Sequence, residues 1–324
     1  MRGYLEMENF IHRRLALQLG LSTTIAATTG SLSSWAVAAV RPLIQKRIPS
    51  SGELLPVIGL GTNNYSPKTP AERAARRAVL ERLTGSGLKV IDTAPAYGES
   101  EQVLGELLQE LGNRPQVFIA TKVTAANGTR EEGIAMMEAS LQRLKTQSLD
   151  LVQVHNLIGA DVLMPLLHEW VDKKRVRYIG VTTSRDAQYP VLKKLMQTLP
   201  LDFIQVDYSI SNRGAAEELL PLAQEKGIAV LINMPFGGRQ NSNVFGQVKE
   251  KPLPEWAIEI GITTWAQFFL KYVVSHPAVL AAIPGMTRVS NLEDNLGAAY
   301  GILPDASVRL KMEQHWDALR SSNV

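Results

Sequence analysis

The sequence predicts an α/β fold in which eight parallel strands close into a (β/α)8 (TIM) barrel with an N-terminal β-hairpin. Eight apolar runs of strand length alternate with longer stretches of helical periodicity. Strands that are apolar on both faces and separated by helices are typical of parallel pairing, and eight such units in about 250 residues are typical of this barrel. A doubly wound open sheet is the alternative, but no complete Gly-x-Gly-x-x-Gly follows the first strand, since GLGTNN stops short.

The elements follow in order along the chain. LIQKRIPSSGELLPVIGLGT reads as two short strands around the turn SSG, which predicts the hairpin. The barrel strands are then expected in VIGLGT from Val57, KVIDTA from Lys89, VFIATKV from Val117, LDLVQVHN from Leu149, YIGVTT from Tyr178, FIQVDYS from Phe203, AVLINMP from Ala229 and VLAAIPG from Val279.

Helices are expected between these strands. SEQVLGELLQELGN places five apolar side chains on one helical face, and glycines at 87, 112 and 227 stand where helices should stop. The longest connection covers residues 236–277 and includes a predicted helix at 263–274. Long connections at a barrel mouth often cover a ligand.

Composition excludes several classes of function. The net charge is +3 with a pI of about 9.0, basic and acidic residues are interspersed, and aromatic residues make up only 6% of the chain, so no nucleic-acid surface is predicted. The absence of cysteine excludes disulfides, thiolate nucleophiles and thiolate metal sites. The five histidines lack ligand spacing, which disfavours a metal hydrolase and predicts no metal site.

The N-terminus has the three parts of an export signal. Arg13 and Arg14 precede a mildly apolar segment, and Ala36, Val37 and Ala38 form a small-x-small cleavage pattern. We therefore predict a twin-arginine signal peptide at 1–38, recognised by the twin-arginine export machinery, before a single barrel domain at 39–324. The mature protein would be periplasmic or otherwise exported, and cytoplasmic if the signal is not used. The alternatives are a retained extension and, less favoured in so short and hydroxylated a segment, a membrane anchor.

Four chemically active side chains stand at or near strand ends. Asp92 ends the second barrel strand with Tyr97 just beyond it, Lys122 ends the third strand, and His155 ends the fourth. Taken singly, each has an ordinary structural alternative, such as a helix cap, a solvated amine, loop packing or a core histidine. Because barrel strands end at one rim, we expect the four to converge on a single site.

Together these groups are suited to general acid catalysis on a carbonyl. A phenol has a pKa near 10, and a neighbouring ammonium favours the phenolate, so Lys122 is expected to lower the pKa of Tyr97. Asp92 supplies the counter-charge that a buried ammonium needs, and His155 orients the substrate oxygen. None of these groups supplies a hydride, which must come from a cofactor.

The segments GLGT, IDTAPAYGESE, ATKV, QVHN, GVTTS and IPGMTRVSNLEDN resemble the aldo-keto reductase family, in the same order and spacing over residues 43–299. The resemblance implies a barrel that binds NADP, with NAD as the alternative, without a Rossmann domain. It also implies reversible reduction of a small-molecule aldehyde or ketone. Tyr97 is then the acid in reduction and the base in oxidation, within the set of Asp92, Lys122 and His155.

The resemblance also implies contacts to the nicotinamide end of the cofactor. Gly61, Thr62 and Asp92 match the segment beside the nicotinamide ribose, and Gln205 matches a carboxamide contact. The family's usual Ser-Asn pair is replaced by Thr182 and Thr183, whose hydroxyls can bond the carboxamide with a different reach. At the seventh strand the family often stacks an aromatic ring on the nicotinamide, whereas this chain places there the segment Asn233, Pro235, Phe236 and Gly237.

The segment that matches the family's contacts to the adenosine phosphate of the cofactor also departs from the family pattern. NADPH-preferring members have a Lys-Ser pair and an arginine where this chain has Gly285, Met286 and Asn291. Thr287 and Arg288 are candidates to replace that clamp, with a solvated surface arginine as the alternative, and Asp294 and Asn295 match the adenine contacts. The expectation is NADP with weakened preference, or use of both dinucleotides.

Two functions remain open at this stage. The first is an exported reductase of small carbonyl compounds, and the second is a nucleotide-binding barrel that senses redox state or regulates a partner with little turnover. The sequence leaves the oligomeric state open and places the substrate loops near Asn63, Asn64 and Tyr65, where Tyr65 is either a packing residue or a substrate contact.

Overall fold

A computed structural model describes residues 42–238 and 243–321, so the predicted signal peptide lies outside the described residues. The predicted hairpin is present, with β1 (Gln45–Arg47) antiparallel to β2 (Leu54–Pro56). The parallel strands are β3 (Leu60–Gly61), β4 (Val90–Asp92), β5 (Phe118–Val123), β6 (Leu149–His155), β7 (Val176–Thr182), β8 (Phe203–Val206), β9 (Ala229–Ile232) and β10 (Val279–Ala282).

The helices alternate with these strands, as predicted. They are α1 (Pro70–Gly85), α2 (Ser100–Leu111), α3 (Arg130–Arg143), α4 (Ala160–Asp172), α5 (Tyr189–Thr198), α6 (Leu219–Lys226), α7 (Phe245–Val248), α8 (Glu255–Glu259), α9 (Trp265–Val274), α10 (Val289–Leu296) and α11 (Ala306–Ser321). α9 begins at Trp265, two residues after the predicted start at 263. Thr264 is its N-cap, because the Thr264 Oγ1 accepts a hydrogen bond from the Gln267 amide at 3.2 Å. Within residues 42–238 and 243–321, no helix has both the length and the hydrophobicity to cross a bilayer.

The sheet closes on itself, which confirms the barrel. Neighbouring strands pair in sequence order from β3 to β10. The two ends are joined by backbone bonds from Gly59 N to Ala282 O at 2.8 Å and from Ala282 N to Val57 O at 2.9 Å. Closure leaves no free edge and brings the carboxyl ends of all eight strands to one rim.

The amino end of the barrel is sealed by side chains and by the hairpin. The rings of Phe118, Tyr178 and Phe203 pack together inside the barrel with centroids 5.6–6.0 Å apart. The hairpin covers these rings, because the Tyr178 hydroxyl donates to Ser51 Oγ in its turn at 2.7 Å. Lys46 Nζ in β1 also donates to the carbonyl oxygens of Val274, His276 and Val279, which ties the hairpin to β10 and the segment before it. Access to the barrel is therefore at the opposite, carboxyl rim.

Candidate active site

The four predicted catalytic side chains meet at the carboxyl rim. Lys122 Nζ donates to Asp92 Oδ2 at 2.7 Å and to the Thr93 carbonyl at 2.8 Å. The same nitrogen lies 4.9 Å from the centroid of the Tyr97 ring. The Tyr97 and His155 rings stand edge to face with centroids 6.0 Å apart. Residues drawn from three strand ends and one loop thus surround one phenol.

The Asp92–Lys122 ion pair is buried, with only 4% and 1% of the two side chains exposed. Burial raises the pKa of the Asp92 carboxyl, and the Lys122 ammonium and the Gln205 amide oppose part of that rise. Burial acts to lower the pKa of Lys122, but Asp92 and Tyr97 outweigh it, so the pKa of Lys122 is raised. The ammonium is therefore retained at neutral pH because its partners are adjacent.

The pKa of Tyr97 is raised, whereas the sequence predicted that Lys122 would lower it. Burial raises the pKa of this phenol, Lys122 opposes the rise and Asp92 adds to it, so the pKa lies above the usual value rather than below it. The phenol consequently keeps its proton at neutral pH. Burial, with a smaller contribution from Lys122, lowers the pKa of His155 to about 4, so its imidazole is neutral.

A serine that sequence reasoning missed holds the turn that carries Tyr97. Ser66 Oγ donates to the Tyr97 carbonyl at 3.3 Å and accepts from the Glu99 amide at 2.9 Å. Gly98 has φ +60°, and a Cβ there would lie 2.9 Å from Ser66 Oγ, so this position needs glycine. A serine in a loop carries no sequence signal for such a role.

The Gln205 amide also acts within the site. Gln205 Nε2 donates to Asp92 Oδ1 at 2.7 Å, and its Oε1 accepts from Thr182 Oγ1 at 3.0 Å. The Thr183 hydroxyl donates to Gln188 Oε1. The hydroxyls of Thr182 and Thr183, expected to contact a carboxamide, thus donate to protein side chains here.

Gln188 steadies the turn after His155. Its Nε2 donates to the Asn156 carbonyl at 3.1 Å. Asn156 and Leu157 have φ of 53° and 61°, a left-handed conformation that is uncommon for a leucine and costs energy. Gln188 is a second contributor missed from the sequence, because its role appears only when the loops after β6 and β7 are adjacent.

The end of β9 presents an unsatisfied acceptor. Asn233 Oδ1 is buried and has no hydrogen-bond partner among the described residues. Pro235 is buried, Gly237 has φ +64°, and the Phe236 ring packs on Phe245 with centroids 4.9 Å apart. The unpartnered Asn233 acceptor fits the amide of a nicotinamide, whereas the Phe236 ring packs against the connection that follows.

The loop after β10 leads into the α10 N-terminus. Arg288 is exposed and is the N-cap residue of α10, and no acidic side chain in the described part of the chain pairs with it. An arginine at a helix N-terminus has the chemistry of a phosphate site. Asp294 Oδ1 already accepts from Thr264 at 2.6 Å and Gln267 at 3.2 Å, and Asn295 is buried.

Arg76 links the two loops that flank the site, a role the sequence did not reveal. Its guanidinium donates to the Thr287 carbonyl at 2.9 Å and to the Asn64 carbonyl at 3.4 Å. Tyr65 is fully buried under Arg76, and its hydroxyl donates to the Arg76 carbonyl at 3.2 Å. Of the two readings of Tyr65, packing is therefore the correct one.

No cluster of three or more His, Asp or Glu side chains suited to a metal ion occurs in residues 42–238 and 243–321.

Comparison with known proteins places this geometry in context. The family model described as the aldo/keto reductase family matches residues 57–310. A methylglyoxal reductase of Escherichia coli (strain K12) is 31% identical over 258 residues, covering 78% of this chain and 88% of that protein. An aldo/keto reductase from Klebsiella pneumoniae, solved with NADP and acetate, is 27% identical with a TM-score of 0.68, covering 82% of this chain and 93% of that one. A Klebsiella pneumoniae aldo-keto reductase solved with NADPH is 26% identical with the same TM-score, covering 85% and 96%.

Proposed function

Because the chain belongs to the aldo/keto reductase family, we propose that it reduces small aldehydes and ketones to alcohols with NADPH and uses Tyr97 as the general acid. The observation that carries the assignment of roles is the buried Lys122–Asp92 pair beside a protonated phenol and a neutral imidazole. An ion pair with only a structural role would not require the Tyr97 and His155 rings next to it.

The protein supplies the proton and the orientation. His155 is neutral, so one ring nitrogen donates a hydrogen bond to the carbonyl oxygen and holds it toward Tyr97. The carbonyl oxygen takes the proton of the Tyr97 hydroxyl, and the phenolate left behind is stabilised by the Lys122 ammonium. Asp92 keeps that ammonium in place throughout. In oxidation the same groups run in reverse, with the phenolate as base.

Bound NADPH supplies the hydride. Asn233, whose Oδ1 has no partner among the described residues, and Gln205 would hold the nicotinamide carboxamide, and Gly61, Thr62 and Asp92 would lie beside its ribose. Arg288 at the start of α10, with Thr287 next to it, is the candidate for the adenosine phosphate. The departure from the family's Lys-Ser pair leaves fewer charged contacts there, so we propose a weakened NADP preference or use of both dinucleotides.

The test is loss of NADPH absorbance with a panel of small aldehydes and ketones, including the methylglyoxal named for the E. coli relative. Tyr97→Phe should lower kcat about 10²–10⁴-fold, because it removes the proton donor and keeps the ring. Tyr178→Phe is the matched control, since that phenol is at the sealed end of the barrel. Tight NADPH binding without turnover would instead favour a redox-sensing or regulatory barrel.

We also propose that residues 1–38 are a twin-arginine signal and that residues 39–324 reach the periplasm as one folded domain. Arg13, Arg14 and the Ala36–Ala38 pattern support this proposal. Replacing both arginines by lysine should retain the protein in the cytoplasm, as measured by fractionation and immunoblot. The exported form should carry bound dinucleotide. Equal distribution of both forms would refute export through this signal.

A further inference from the structure

A chain of three buried hydroxyl groups runs between the ends of β3 and β4 and the start of α2. Thr62 follows β3, Thr93 follows β4 and Ser100 is the first residue of α2, and all three are fully shielded from water. Ser100 Oγ donates to Thr62 Oγ1 at 2.7 Å, and Thr62 Oγ1 donates to the Asp92 carbonyl at 2.8 Å. A hydroxyl has one proton to donate, so the Thr93 hydroxyl, 3.0 Å from Ser100 Oγ, is the donor in the remaining bond.

The two ends of this hydroxyl chain lie on the neighbouring residues that hold the catalytic ammonium. Lys122 Nζ donates to Asp92 Oδ2 at 2.7 Å and to the Thr93 carbonyl at 2.8 Å. The Asp92 carbonyl accepts from Thr62, and the Thr93 hydroxyl donates to Ser100. The peptide that joins Asp92 to Thr93 is therefore held from both sides, and it carries the two acceptors that fix the Lys122 ammonium.

Ser100 is also bonded to the turn that carries the phenol. Its amide donates to the Tyr97 carbonyl at 3.2 Å. Its hydroxyl donates to a strand end and not to the helix, and the N-cap residue of α2, Glu99, makes no side-chain bond to the helix either. One residue thus connects the Tyr97 turn, through its main chain, with the acceptors of Lys122, through its side chain. Between these two points Lys122 Nζ lies 4.9 Å from the centroid of the Tyr97 ring.

We propose that Ser100 is a positioning residue for carbonyl reduction, whose hydroxyl fixes the strand end that holds Lys122 and thereby the separation between the Lys122 ammonium and the Tyr97 phenol. The proposal rests on the proposed function and adds a residue on which the proton transfer depends. Because Ser100 is fully buried, it has no surface with which to contact a substrate or a cofactor, so it acts only through its neighbours.

Loss of the Ser100 hydroxyl leaves a buried donor without an acceptor. In Ser100→Ala the Thr93 hydroxyl has lost its partner, and an unsatisfied donor in a buried site is costly. The peptide between Asp92 and Thr93 must then shift to bring that hydroxyl to another acceptor. Both acceptors of the Lys122 ammonium move with this peptide, so the ammonium is held less firmly beside the phenol.

The proton affinity of Tyr97 reports that change. The titratable groups that face Tyr97 are Lys122, Asp92 and His155, and the imidazole is neutral because its pKa is lowered to about 4. Burial raises the pKa of the Tyr97 phenol, Lys122 opposes that rise and Asp92 adds a smaller contribution to it. An ammonium that is held less firmly opposes the rise less, so the pKa of Tyr97 should increase further in Ser100→Ala.

The test is the pH dependence of alcohol oxidation with NADP, in which the Tyr97 phenolate is the base. The pH of half-maximal rate reports the pKa of Tyr97 and should move upward in Ser100→Ala. The value of kcat for aldehyde reduction at pH 7 should fall about tenfold, since a neutral hydrogen bond contributes up to about that factor, while Kd for NADPH changes little. Ser100→Thr, which keeps the hydroxyl, should recover most of both losses.

Ser140→Ala is the matched control. Ser140 is a second buried serine, on α3, and its Oγ donates to Glu101 Oε2 at 3.2 Å without contact to the hydroxyl chain. Its loss should lower the free energy of unfolding and leave the pH of half-maximal rate unchanged. Thr93→Val keeps the shape of the side chain and breaks the same link to Ser100, so it provides the same measurements if Ser100→Ala does not fold.

Stability measurements separate this inference from the function on which it rests. Urea unfolding should show that Ser100→Ala costs less free energy in a Lys122→Met background than in the wild type, because no ammonium is left to displace. Equal costs in both backgrounds, or a Ser100→Ala variant with the pH profile of the wild type, overturn the inference while leaving carbonyl reduction intact. Coupled costs in a protein with no turnover would uphold the link between Ser100 and Lys122 and overturn the proposed function.

Discussion

Removing Lys122 is the sharpest test of the electrostatic design, because it leaves a carboxylate buried without its partner. The two charges are 2.7 Å apart and almost wholly shielded from water. Breaking such a buried pair costs about 3–5 kcal/mol. Since the free energy of unfolding of a domain is about 5–15 kcal/mol, Lys122→Met should be folded but markedly less stable, as measured by urea unfolding at pH 7.

The pH dependence of the free energy of unfolding shows whether the unpaired Asp92 carboxylate causes the loss of stability. In Lys122→Met, burial raises the pKa of Asp92 with no ammonium to oppose it, while the unfolded chain keeps a pKa of about 3.9. Between these two pKa values the folded state binds more protons than the unfolded state, so the variant loses stability as pH rises from 5 to 7. Adding Asp92→Asn should recover most of the lost stability, but not the turnover.

Lys46→Met is the matched control. Lys46 Nζ donates only to the carbonyls of Val274, His276 and Val279, and its pKa is lowered to about 8, mainly by burial. Its loss removes a buried ammonium without leaving a carboxylate unpaired, so it should lower stability and leave NADPH oxidation unchanged. A Lys122→Met variant with the same cost at both pH values would refute the reasoning, since it would show that no carboxylate had been stranded.

Two further predictions concern charge elsewhere in the chain. Arg288→Ala should raise KM for NADPH about tenfold or more, because a charge-assisted hydrogen bond to the adenosine phosphate is lost. KM for NADH, which lacks that phosphate, should stay constant. An equal rise in both KM values would show that Arg288 does not bind the phosphate. His155 and His276 have pKa values lowered to about 4, mainly by burial, against about 6.5 unfolded, so the unfolded chain binds more protons and stability should fall as pH drops from 6.5 toward 4. His276→Gln should flatten that decline in urea midpoints, and an unchanged slope would contradict it.

The sequence predicted much of the site because the barrel obeys simple rules. Parallel strands end at one rim, so Asp92, Lys122 and His155, each at or near a strand end, had to approach one another. Tyr97, five residues beyond Asp92, is kept near by a short turn. The alternation of apolar runs and helical segments likewise predicted the strand order before any distance was known.

Other features depended on distances between residues far apart in the chain. The roles of Gln188 and Arg76 arise from loops that only folding brings together. The position of the Phe236 ring depends on Phe245 in a later helix.

The sequence by itself determined which side chains would lie together at the carboxyl rim. Hydrophobic periodicity determines where the strands are, and the parallel direction of the strands brings their carboxyl ends to one rim. Only the tertiary structure decided how those groups behave. Sequence places Lys122 near Tyr97 and so predicts a lowered phenol pKa, but burial outweighs the ammonium and raises it. Desolvation depends on how completely the folded protein surrounds a group, and no local pattern of residues contains that quantity.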